Sequence, residues 1–172
     1  MSELIKTHGG CTYGVHTRRK ADDLLLDSLL GQKNRMPREG LNAAMTAVFK
    51  QGAGEAAFYI GLWSGAHIPD GEETAANLLT LVTEVTTYAQ SSRLLLQLGS
   101  VADGGASNAA NLARFDMQGT GTVNGAFLIT SQAKGATSGK LYSLVRFDNP
   151  RTFDASLYLE LLVGAQFVSL SL

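Results

Sequence analysis

Cys11 and His16 are the residues best suited to nucleophilic chemistry in this 172-residue chain: a thiol and an imidazole five positions apart in a glycine-rich stretch. A working Cys–His pair is assembled by the fold and oriented by a third group, and local spacing supplies neither. A small hydrolase is therefore the weakest reading. His8, His16 and His67 could bind a metal only if three distant loops met, and the chain has no H-x-x-x-H or H-E-x-x-H spacing. Among the carboxylates, Asp22-Asp23 and Glu72-Glu73 are adjacent in sequence. Neighbouring acids on a helix point about 100° apart, so they read as charges at the positive end of a helix dipole. Gly119 to Asn124 lacks the third glycine of a dinucleotide loop and leads into a strand. Asp148-Asn149-Pro150 reads as a turn. The expectation is a protein that is not an enzyme, with no metal and no cofactor.

Binding residues are easier to nominate. Arg18-Arg19-Lys20 is the one basic cluster. Three cations give a small footprint for nucleic acid, so a solvated helix start or a dock for an acidic partner fits better. Leu25 and Leu29 belong to an apolar helical stripe. Tyr59 and Trp63 share a strand face, as core packing, a sugar-stacking platform or an interface anchor. The candidate interface residues are thus Arg18, Arg19, Lys20, Leu25, Leu29, Tyr59 and Trp63.

Composition limits the classes. Hydrophobic residues make up 45% of the chain, which argues against disorder. A net charge of −1 argues against a nucleic-acid binder. A single cysteine excludes an internal disulfide and any multi-cysteine zinc site. No apolar run approaches the ~18–20 residues of a membrane helix, and Met1 to Lys6 contains no signal-peptide core. A soluble protein made in a cytoplasm is expected, with no membrane partner. Charged residues are only 17%, against roughly 25% in an average domain. Interface centres are depleted of charge, so the surface is expected to meet copies of itself or other partners.

The elements that would position these residues fall into two parts. Residues 1–51 carry a net +3 and residues 52–172 a net −4. The first part reads as an arm of two helices. Thr17 caps one helix through Leu30, with Leu25, Leu26, Leu29 and Leu30 on one face. Glu39 to Lys50 forms the other, with Leu41, Ala44, Met45, Val48 and Phe49 directed at a core. After Gly54 short strands dominate: Ala57–Trp63, Arg93–Leu98, Asn111–Met117, Thr122–Thr130, Lys140–Phe147, and Leu157–Leu170 as one strand or two. Glu72 to Val82 reads as a short helix or a loop. The fold class is mainly β: an antiparallel sandwich or jelly-roll-like domain at 52–172, preceded by the two-helix arm.

A series of motifs from residue 40 onward resembles a family of small virion proteins of tailed bacteriophages. Gly40-Leu41-Asn42 opens a helix like the family's "GLN" helix, and Phe58 to Trp63 is similar to its "WYxGL" strand. Glu84, Tyr88 and Arg93 resemble its E…Y…R segment. Gly125 to Ile129, Lys134-Gly135 and Thr137 to Leu141 resemble its "GAFLxxxxxKGGTSGxL" hairpin. Arg146-Phe147 and Pro150-Arg151 resemble its "ARFxxPR" turn. Leu94-Leu95-Leu96 departs from the family, which has a proline and an aromatic there, and residues 1–39 lie outside the likeness.

The resemblance implies a non-enzymatic virion structural subunit with no catalytic residues. It would be homo-oligomeric, made in a bacterial host's cytoplasm, and docked through the N-terminal arm on the capsid or the head–tail connector or collar. Its partners would be copies of itself and capsid, portal, adaptor or tail proteins. The alternative is a receptor- or glycan-binding tail-fibre module using Tyr59, Trp63, Tyr88, Tyr142 and the loop 131–139.

Overall fold

The computed structural model describes residues 8–50 and 52–168. Gln51, at the expected boundary, Met1 to Lys6, and the end of the expected last strand (169–170) lie outside the described residues.

Two antiparallel five-stranded sheets pack as a sandwich. The first holds β1 (His8–Arg19), β2 (Leu25–Lys33), β6 (Gly105–Ser107), β7 (Ala113–Asp116) and β10 (Leu157–Val168). Its order is β2-β1-β10, with β6 and β7 sharing the far edge of β10. The second holds β3 (Tyr59–Ser64), β4 (Thr83–Val85), β5 (Leu94–Leu95), β8 (Gly121–Ile129) and β9 (Leu141–Phe153). There β4 and β5 share one edge of β3, followed by β8 and β9. Helix α1 (Arg38–Phe49) links the sheets, and the short α2 (Leu78–Leu81) precedes β4.

Strand alternation sends one side-chain set inward. Tyr13, Val15, Phe115, Leu159 and Leu161 meet Ile60, Leu62, Ala126 and Val145 between the sheets. The outer face of the second sheet is covered too: Trp63, Phe127 and Ile129 pack under Ala75, Leu78 and Val82. Residues 27–35 close one side of the sandwich. Gln32 and Asp148 exchange two hydrogen bonds, Asp27 pairs with Arg151, and Arg35 forms a backbone bridge with Leu144.

The expected arm of two helices is half corrected. Thr17 to Leu30 is no helix: it is the end of β1, a turn at Asp22-Asp23, and β2. Leucines at 25, 26, 29 and 30 satisfy a helical period, but β1 pairs along twelve residues with β10. Local periodicity cannot register that non-local ladder. Asp23 takes the left-handed backbone (φ 59°) that the reversal needs. Residues 8–33 therefore belong to the sandwich. The second helix forms as expected. Of the strand expectations, Arg93–Leu98 shrinks to Leu94–Leu95, and β9 runs on to Phe153 through Asn149-Pro150. The excursion there sits opposite Asn124, where the β8–β9 register shifts.

Candidate functional site

Helix α1 is mounted through its first turn. The Glu39 carboxylate oxygen Oε2 accepts from the backbone N–H of Ala75 (2.8 Å) and of Leu141 (2.7 Å). Gly40 lies against β9 so closely that a Cβ there would stand 2.7 Å from Tyr142 Cα. Gly40 is buried and Ala43, Ala44 and Ala47 are half-buried, so the small residues turn inward. The large ones turn out: Leu41, Met45, Val48 and Phe49 are 45, 57, 64 and 72% exposed. The stripe expected to meet a core faces solvent instead, because contact this close to β9 admits only small side chains. Its outer face is on the order of 400 Å² of apolar surface, the size of the largest patch on an ordinary monomer, which is often functional.

Beside α1 lies an apolar groove of about 380 Å³, lined by Ala44 and Val48 together with Phe58, Leu98, Tyr142 and Phe167. Phe58 and Tyr142 meet edge to face across 4.8 Å. At the rim Lys140 Nζ donates to Glu55 (2.6 Å). Cys11 also lines the groove. Burial pushes its thiol up to about 11, against a smaller opposing effect of the Ser143 hydroxyl. Cys11 and His16 occupy positions of opposite parity on β1. The thiol therefore faces inward, while the imidazole bonds to Ser28 at 2.9 Å on the outside, and no Cys–His pair forms. Among the described residues no cluster of three His, Cys, Asp or Glu side chains could hold a metal.

The nominated residues separate. Arg18 donates to Glu160 (2.9 Å), Arg19 is bidentate on Asp22, and Lys20 Nζ donates to the Met117 and Ala155 carbonyls. These cations tie the end of β1 to its own turn at Asp22-Asp23, to β10 at Glu160 and to the main chain at Met117 and Ala155. Leu25 is exposed, whereas Leu29 packs partly on the core. Tyr59 is half-buried. Trp63 is fully buried and its indole N–H donates to Val145 O (3.0 Å), which corrects its reading as an interface anchor.

Sequence reasoning did place Glu84, Tyr88, Arg93 and Lys134 in one motif series, and they meet. Arg93 is bidentate on Glu84 (2.9 Å each) and donates to the Ser131 and Ala136 carbonyls. The Gly135 N–H donates to Glu84, and Lys134 Nζ caps the Tyr88 ring at 3.5 Å. The pair is buried, with Arg93 0% and Glu84 3% exposed at the side chain. It clamps the loop 131–139 onto β4. The outer face of α1 and Leu24, Leu26 and Leu30 around β2 were missed as surface. The run of Gly and Ala at 40, 43, 44 and 47 was the available signal. Compared with protein-family models and curated proteins, the chain matches none.

Proposed function

We propose that the chain is a non-enzymatic structural subunit of a tailed-phage virion, homo-oligomeric, docked on the capsid or head–tail connector through the surface of its first fifty residues. The carrying observation is where the apolar surface lies. Of fourteen large hydrophobic residues exposed among the described residues, eight fall between Leu24 and Phe49. Gly40 to Phe49 is free of charge, whereas Asp27, Lys33, Arg35, Arg38 and Glu39 punctuate the rest, and exposed apolar residues gathered in one stretch favour a contact surface. The motif series from Gly40 to Arg151 supports the virion setting. Many copies of a weak contact hold firmly, because each bound copy raises the effective concentration of the next.

The tail-fibre alternative has less support. It needs exposed aromatics, and Trp63 and Tyr88 are buried while the loop 131–139 is clamped by Arg93.

The test is co-sedimentation of the tagged chain with washed, gradient-purified particles. The reading expects wild type in the particle fraction and loss of a Leu25→Glu, Leu30→Glu variant that still folds. A chain absent from washed particles contradicts it.

A further inference from the structure

We infer that the outer face of α1 is the homodimer interface, packing antiparallel on the same helix of a second copy about a two-fold axis. This rests on the reading of the chain as a self-assembling subunit and assigns α1 to self-assembly, leaving the exposed Leu24, Leu25, Leu26 and Leu30 for the dock on the particle.

Spacing makes the face self-complementary. Leu41, Met45 and Val48 follow the four-three rhythm of a helix–helix seam, with Phe49 beside it. Gly40 to Phe49 carries no charge at all. An acidic or basic partner would therefore meet nothing, whereas a second α1 presents the same neutral apolar stripe.

Charge at the helix ends selects the direction. Arg38 and Glu72 stand exposed as an ion pair at the first turn, and Lys50 follows the last. Parallel helices set Lys50 against Lys50. Antiparallel helices separate the two Lys50 side chains, set each beside the other copy's Arg38–Glu72 ion pair, and oppose the two helix dipoles.

The area suffices. The four α1 side chains with Leu98 and Phe167 on the adjoining groove rim offer roughly 600 Å² of apolar surface, and a polar border brings this near the ~800 Å² per partner of a standard interface. In this arrangement Met45 sits at the axis and faces its own counterpart, while Leu41 faces Phe49.

Sedimentation equilibrium and self-cross-linking of the full chain test this. Wild type is expected at twice 18.2 kDa. Met45→Glu and, separately, Phe49→Ser keep the wild-type circular dichroism and raise the dimer dissociation constant about 30-fold or more. In a Cys11→Ala background, Met45→Cys links to itself on oxidation and Leu41→Cys does not. Self-linking of Leu41→Cys alone overturns the antiparallel arrangement. An assembly unaffected by Met45→Glu and Phe49→Ser overturns the interface. A wild-type monomer that still co-sediments with washed particles overturns the inference and the homo-oligomeric part of the proposed function but leaves particle docking standing, whereas a monomer absent from particles overturns both.

Discussion

Trp63 lies across Gly125: on paired strands β3 and β8 the two are direct partners, and a Cβ on Gly125 would stand 2.6 Å from the indole ring. The same Cβ would stand 2.0 Å from the Val145 carbonyl oxygen. Two residues along, Gly61 faces Phe127 in the same way. The aromatic of one motif is thus seated on the glycine of the other, which explains why both motifs combine these residue types.

Gly125→Ala accordingly forces backbone to move, since a carbonyl cannot swing aside as a flexible side-chain end can. It should cost about 3 kcal/mol, lowering the melting temperature by roughly 6–12 °C. Differential scanning calorimetry checks it; an unchanged melting temperature contradicts the close approach.

The Glu84–Arg93 pair predicts strong non-additivity. Removing either partner leaves the other charge buried, at about 3–5 kcal/mol. Glu84→Leu with Arg93→Met removes both and should cost less than the two single losses together. Chemical denaturation of the four proteins completes the cycle, and simple additivity counts against the clamp.

The mounting of α1 predicts local rather than global damage. Gly40→Ala pushes a methyl into the Leu141–Tyr142 main chain, and Glu39→Ala strips acceptors from two N–H groups, each change costing about 2 kcal/mol. Hydrogen exchange should quicken across residues 38–49 and stay slow in β8 and β10. Equal quickening in both regions contradicts the mounting.

Two groups predict the alkaline limb. Burial raises the Cys11 thiol from 9.0 to about 11, and burial followed by the nearby Cys11 charge raises the Tyr13 phenol well above 10.0. Both favour the neutral form in the folded state. Their stabilisation is therefore complete below about pH 9 and declines as pH rises toward 11. At pH 8 the Cys11 thiolate fraction is about one in a thousand. Ellman's reagent should label it slowly in native protein and quickly in denaturant; fast native labelling contradicts the burial.

Glu73 predicts the acid limb. Burial alone raises its carboxyl, but hydrogen bonds from His67 and from the Asp70 and Gly71 N–H groups outweigh that and hold it below 4.5. Its contribution is present above about pH 4.5 and lost as pH falls through the lower folded value. Glu73→Gln should flatten stability against pH in that window, and an unaltered acid limb contradicts the arrangement.

Strands of the second sheet were legible because alternation separates Ile60 and Leu62 from Tyr59 and Trp63 within a few residues. The β1–β2 hairpin was not, because β1 is held as a strand by its second ladder, with β10, which joins Arg18 to Tyr158, 140 positions away. The outward face of α1 was hidden for another reason. Amphipathic period gives the existence of two faces, while the side that docks depends on how close the neighbour comes. Gly40 against Tyr142 decided that in favour of the alanines. Glu84, Tyr88 and Arg93 were legible as a set, but only the fold shows them clamping a loop.

Met45 offers the most direct measurement of the central claim, that the apolar surface of residues 24–49 is covered in the working state. Met45 is 57% exposed in the isolated chain and Met117 is fully buried. Peroxide footprinting, read by mass spectrometry, compares the dilute Phe49→Ser chain with wild type in washed particles. The account predicts rapid oxidation of Met45 in the first and protection in the second, with Met117 protected in both. Equal oxidation of Met45 in both samples contradicts it.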